Sequence, residues 1–180
     1  MKWKDLFFPL ALLAGGAALL LAVNILTDGT LGRAAARERQ QTMERLLPGS
    51  RTFTPEPYDG EDDLIRTLHK GEGGYVAEVT VNGYADELTL WVGVDNGGRV
   101  TGLTVRDMAE TWGLGRHAMD DAAFLSQFLG SSGHAAVGED ISALAGATVT
   151  SRAVARAVNA ASAAVTGADL SAGATEWGGG

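Results

Sequence analysis

The 180-residue chain contains no cysteine. Disulfides, thiolate metal sites, iron–sulfur ligation and a lipidated N-terminal cysteine are therefore excluded together, and any redox chemistry must come from another cofactor. Histidine is scarce: His69, His117 and His134 are the only three, and none stands at metal-ligand spacing from another. Each reads as a solvated loop residue, no metal site is expected, and no residue is marked as an obligatory acid or base. Positive charge is also in deficit. Setting aside Lys2, Lys4 and Asp5 reduces the 14 basic and 22 acidic residues to 12 and 21, so residues 28–180 carry a net charge of −9. Such a surface argues against nucleic acid as a partner. No internal repeat is visible.

The first residues are short of charge altogether. Leu6 to Thr27 is 22 residues long without a charged side chain, and as a helix would extend roughly 33 Å, enough to cross a hydrocarbon core. The run is longer than a signal-peptide core, and the nearest small-x-small site, Ala34 to Ala36, lies well beyond it. The expectation is a single N-terminal transmembrane anchor over residues 1–27 in a cell inner or plasma membrane. Lys2 and Lys4 favour a cytoplasmic N-terminus, which puts the main domain outside the cytoplasm.

Residues 28–60 read as a juxtamembrane helix stopped by Pro48-Gly49-Ser50, followed by a connector with two prolines. Residues 61–166 form one domain of the α+β class, and 167–180 a flexible tail. Leu64, Ile65 and Leu68 suggest a short helix closed by Gly71 to Gly74. Tyr75, Ala77, Val79 and Val81 alternate with Val76, Glu78 and Thr80, the period-two pattern of a strand. Asn82-Gly83 ends it, Glu87 to Val94 is a second strand, and Asp95-Asn96-Gly97-Gly98 turns into a third at Val100 to Val105. An antiparallel meander results. Asp120 to Leu129 predicts a helix burying Phe124, Leu125, Phe128 and Leu129, and Ala135 to Val137 a short edge strand.

Two small-residue segments could carry chemistry. Glu110-Thr111-Trp112-Gly113-Leu114-Gly115 has glycines that let backbone approach a ligand and a tryptophan offering a flat π-surface, although a surface turn with Trp112 in the core would look the same. Ala145-Gly146-Ala147-Thr148-Val149-Thr150-Ser151 places hydroxyls where an alanine-rich helix starts. That helix is expected over Ser151 to Val165, with Val154, Val158 and Val165 near one face, Thr150 or Ser151 as its N-cap and Gly167 as its stop. A helix start attracts anions, yet on its own the segment is also an ordinary cap.

The order of these features narrows the choice. Gly74-Tyr75, Val92-Gly93-Val94-Asp95, Glu110-Thr111-x-Gly113-Leu114-Gly115 and Gly146-Ala147-Thr148-Val149-Thr150-Ser151-Arg152-Ala153-Val154, behind one apolar span, resemble the G subunit of Rnf-type ion-translocating electron-transport complexes. The likeness extends more distantly to the C subunit of the sodium-translocating NADH:quinone reductase. The resemblance implies an FMN-binding domain whose FMN is joined through its phosphate to a threonine by a separate, magnesium-dependent flavin transferase. The acceptor in such proteins directly follows Gly-Ala, which is Thr148 here, with Thr150 as the alternative. It further implies that Gly146 and Ala147 give room, that Thr150 and Ser151 cap the helix, and that Glu110, Thr111, Trp112, Gly113, Leu114 and Gly115 line the isoalloxazine. The expected role is electron carriage among the other subunits of a membrane complex rather than stand-alone catalysis. The alternative is an anchored extracytoplasmic flavin or binding domain outside such a complex. The chain departs from the family pattern at Ala145, where Ser or Thr is usual, at Ser142, where an acidic residue is usual, and at Trp112, where proline is usual.

Overall fold

The computed structural model describes residues 32–60, 63–84, 87–108 and 121–167. The chain divides into two compact units, residues 1–41 and 42–180. The described part of the first, residues 32–41, is helical, and this helix, α1, runs over residues 32–46. The apolar run Leu6 to Thr27 and the tail from residue 168 lie outside the described residues, among which no helix is long and apolar enough to cross a membrane.

The second unit is an α+β domain built on a five-stranded antiparallel sheet in sequential order: β1 (Thr54–Glu56), β2 (Ile65–Lys70), β3 (Gly74–Asn82), β4 (Glu87–Asp95) and β5 (Val100–Met108). The expected three-stranded meander is present as β3 to β5, with two further strands on its β3 side. Alternation sets the faces: Ala77 lies opposite Val92, Val79 opposite Leu90 and Val81 opposite Leu88, and all six are buried on one side. The turn between β4 and β5 is held by Asp95, whose Oδ1 accepts from the amides of Gly97 at 2.8 Å and Arg99 at 2.9 Å.

Two expectations fail in this region. Leu64, Ile65 and Leu68 do not form a helix; Ile65–Lys70 is strand β2. A bulge shifts the register between Ile65 and Thr67, so residues three apart share the buried face, a spacing that imitates a helical turn. The connector also contains β1, a three-residue edge strand next to β2.

The inner face is covered by α2 (Ala122–Ser126) and α3 (Thr148–Thr166). α3 lies across β3 and β4, with Val154, Ala157, Val158 and Ala161 fully buried. Alanine at so many contact positions lets the helix sit close to the sheet. Gly167 ends it in a left-handed conformation (φ 70°), its amide donating to the Ala163 carbonyl at 2.8 Å. α2 is shorter than the expected Asp120–Leu129 helix. Asp121 caps it, accepting from the amides of Ala123 at 2.8 Å and Phe124 at 3.1 Å. Phe124 meets Phe128 edge to face at 5.3 Å.

The outer face holds a second, smaller core in which Met43, Leu46 and Leu47 pack with Val76 and Trp91. Here the backbone at the end of α1 rests on the paired glycines Gly93 and Gly102. A Cβ at Gly93 would run into the Leu46 carbonyl, and one at Gly102 would stand 2.9 Å from Leu46 Cα. Thr101 Oγ1 donates to the Leu46 carbonyl at 2.5 Å, satisfying one of the acceptors a helix end leaves open. The following residues are tied down by Glu72, whose carboxylate accepts from the Thr52 hydroxyl and from the amides of Arg51 and Thr52. These bonds, the Thr52 hydroxyl foremost, lower its pKa to about 2.

Candidate functional site

The segment from Gly130 to Ala147 crosses from the sheet edge to the start of α3 without forming a strand. The edge strand expected at Ala135 to Val137 is reduced to a single parallel bridge between Val137 and Ile141. Side chains from the helical side replace the missing ladder. The Asn159 carboxamide brackets Ala135, accepting from its amide at 2.9 Å and donating to its carbonyl at 3.0 Å. Gln127 does the same at Ser142, with Oε1 accepting from the amide at 2.8 Å and Nε2 donating to the carbonyl at 3.4 Å. A carboxamide presents one donor and one acceptor side by side, so it can stand in for a neighbouring strand.

The turn before α3 is closed by a hydroxyl. Ser151 Oγ accepts from the Leu144 amide at 3.2 Å and donates to the Ala147 carbonyl at 2.9 Å. The same carbonyl accepts the Ser151 amide at 2.9 Å, while the Ala147 amide donates to the Leu144 carbonyl at 3.0 Å. Gly146 supplies the reversal with φ 78°, a left-handed conformation that a β-carbon would strain.

The helix begins three residues earlier than the sequence suggests. Thr148 is its first residue and Ala147 its N-cap, with no side-chain cap hydrogen bond. Neither Thr150 nor Ser151 is the cap; both lie in the first turn. The expected cap rested on hydroxyl chemistry, but the Ser151 hydroxyl bonds backward to the turn, and Thr150 is buried.

This geometry separates the predicted residues. Ala145, Gly146, Thr148 and Val149 are exposed, whereas Ala147 is 6%, Thr150 1% and Ser151 0% exposed. Gly146, Ala147, Thr148, Thr150 and Ser151 are brought together in one turn; Glu110, Thr111, Trp112, Gly113, Leu114 and Gly115 lie outside the described residues. The exposed Thr148 hydroxyl sits at the positive end of a 19-residue helix that has no acidic side chain in its first turn. An anion there gains about 0.3–1 kcal/mol from the helix dipole. A phosphate ester on Thr148 would meet small neighbours and no competing carboxylate in that turn, so the residues present fit a flavin held through its phosphate.

Gln127 and Asn159 carry no signal in the sequence. A lone carboxamide belongs to no motif, and only the fold reveals which backbone it brackets.

Residues 83–163 match the FMN-binding domain family. The matched region runs from the turn before β4 to the buried part of α3. Over most of its length the chain is similar to the G subunits of ion-translocating oxidoreductase complexes. It is 27% identical to the G subunit of the Na(+)-translocating ferredoxin:NAD(+) oxidoreductase complex of Acetobacterium woodii, covering 88% of this chain and 91% of that protein. It is 29% identical to the G subunit of the ion-translocating oxidoreductase complex of Escherichia coli K12, covering 81% and 82%, and 29% identical to that of Yersinia pestis, covering 83% of each. The chain is a G-subunit relative, as its paired motifs implied.

Proposed function

We propose that this protein is the electron-carrier G subunit of an Rnf-type complex coupling reduced ferredoxin and NAD to ion transport. Its FMN would be attached through phosphate to Thr148 by a flavin transferase. The observation that carries the attachment site is the contrast between neighbouring hydroxyls: Thr148 is exposed at an uncapped helix start, and Thr150 is 1% exposed. That contrast favours Thr148 over Thr150 as acceptor. FMN, when bound, supplies a centre that takes up and releases electrons. The chain's part is to hold it: Thr148 as tether, Gly146 and Ala147 as clearance, and the segment Glu110 to Gly115 as the lining of the isoalloxazine. In this reading Leu6 to Thr27 anchors the protein in the membrane with the domain outside the cytoplasm, beside the other subunits of the complex.

Co-expression of the full chain with a flavin transferase tests the reading by in-gel flavin fluorescence and intact mass. Wild type and Thr150→Val are expected to fluoresce and gain the mass of one FMN, and Thr148→Val to do neither. A correctly exported wild-type chain that stays colourless, or a Thr148→Val chain that still gains FMN, overturns it.

A further inference from the structure

Within the acceptor turn, Ser151 is fully buried yet bonded at both ends of a four-residue loop. Its contacts are Leu144, three residues before Ala147, and Ala147 itself, the residue bonded to Thr148. A serine in a helix interior ordinarily bonds back to the carbonyl four residues earlier. Ser151 makes that bond and also takes the Leu144 amide, so one hydroxyl joins the entry and the exit of the turn. Nothing else among the described residues bonds the Leu144 amide. The turn's tip, Ala145-Gly146, is exposed, and the remaining restraint across it is the Ala147 amide to Leu144 carbonyl bond.

We propose that Ser151 is the positioning residue for flavin attachment: it sets the rigid geometry in which Thr148 is offered to the transferase and never touches the flavin. This rests on Thr148 being the acceptor. In the step concerned, the Thr148 hydroxyl oxygen attacks the FMN-side phosphorus of a flavin dinucleotide. The Oγ–P bond forms, the pyrophosphate P–O bond breaks, a nucleoside monophosphate departs and the hydroxyl proton goes to the transferase or water. No electrons are transferred. An in-line displacement of this kind depends on where the nucleophile stands, and a misplacement near 1 Å costs on the order of a hundredfold in rate. With the Ser151 hydroxyl removed, the Ala147 amide to Leu144 carbonyl bond is the one tie left across the turn, so Leu144 and Ala147 are held less tightly and Thr148 shifts with Ala147.

The test uses the purified full-length chain in detergent as the substrate of a purified flavin transferase, with flavin dinucleotide and magnesium, comparing wild type, Ser151→Ala and Ser151→Thr. For Ser151→Ala, kcat is expected to fall by about tenfold or more with KM for the chain within about twofold, because positioning is lost and not recognition. In the unmodified chain, the Leu144 amide is expected to exchange its hydrogen about fivefold faster or more, while Val158 in the buried part of α3 keeps wild-type protection. Ser151→Thr keeps the hydroxyl and should restore both. Wild-type kcat in Ser151→Ala, unchanged Leu144 exchange, or a well-folded threonine variant as slow as alanine overturns the proposal. If Val158 shows that the threonine variant does not fold, the alanine comparison decides. A wild-type chain that takes no flavin removes the Thr148 reading and this inference together, whereas normal attachment in Ser151→Ala removes this inference alone.

Discussion

Substituting Gly93 with alanine should destabilise the domain through the outer face of the sheet. The added Cβ would collide with the carbonyl carbon and oxygen of Leu46, and backbone cannot rotate aside as a side chain can. The end of α1 must lift, lengthening the 2.5 Å bond from Thr101 Oγ1 and loosening Met43, Leu46 and Leu47, which are 3%, 5% and 1% exposed. Overpacking of this kind costs about 1–3 kcal/mol. At the size of this domain that corresponds to a fall in Tm of roughly 2–12 °C. Gly73→Ala is the control, because its Cβ would meet nothing nearer than Ser50 Oγ at 3.6 Å, an ordinary van der Waals contact, and it should stay within about 0.5 kcal/mol of wild type. Thr101→Val tests the coupling: its cost should shrink in the Gly93→Ala background, where the bond is already stretched. Urea unfolding of the full chain in detergent, followed by tryptophan fluorescence, measures all four. Gly93→Ala as stable as Gly73→Ala would refute the close seating of Leu46 on the glycine pair.

Three further outcomes rest on the same structure. Asn159→Ala leaves the Ala135 amide and carbonyl without the partner that brackets them in a residue only 6% exposed, and should cost about 2–4 kcal/mol in a urea melt; a loss under about 0.5 kcal/mol would mean the bracket is not made. Leu90→Ala removes a fully buried side chain from the inner face and should cost about 2–5 kcal/mol by the same assay. Glu72 is held near 2 in the folded state against an ordinary 4.5, chiefly by the Thr52 hydroxyl. Because the folded value is depressed, its contribution is complete above pH 4.5 and is lost as pH falls toward 2. The stability difference between wild type and Glu72→Gln should therefore narrow across that window, and a constant difference from pH 6 to pH 2.5 would contradict the assignment.

The sequence disclosed the parts of the fold that obey a simple period. Strands β3 to β5 alternate cleanly, and Asp95-Asn96-Gly97-Gly98 is a turn by composition, so the centre of the sheet was legible. Strand β2 was not, because a bulge puts Ile65 and Leu68 on one face at a helical spacing. The segment around Ala135 looks like an edge strand and is instead tied by the Asn159 and Gln127 side chains, contacts between residues 24 and 15 positions apart that no local pattern encodes. The start of α3 is displaced for a related reason. Thr150 and Ser151 have the chemistry of caps, but both are buried and the Ser151 hydroxyl is taken by the preceding turn. Thr148 is proposed as acceptor from its motif, and the fold adds that it is exposed where Thr150 is buried.

The sheet strands follow one another in sequence and can form as successive hairpins, yet their inner face stays uncovered until α3, the last described element, is in place. Docking α3 buries Thr150 and Ser151 and leaves Thr148 outside in the same movement. On the proposed attachment, presentation of Thr148 therefore depends on completion of the core. A chain truncated before Val158 would retain Thr148 in its sequence but lose the framework that distinguishes it, so flavin content should report the fraction of molecules that have finished folding.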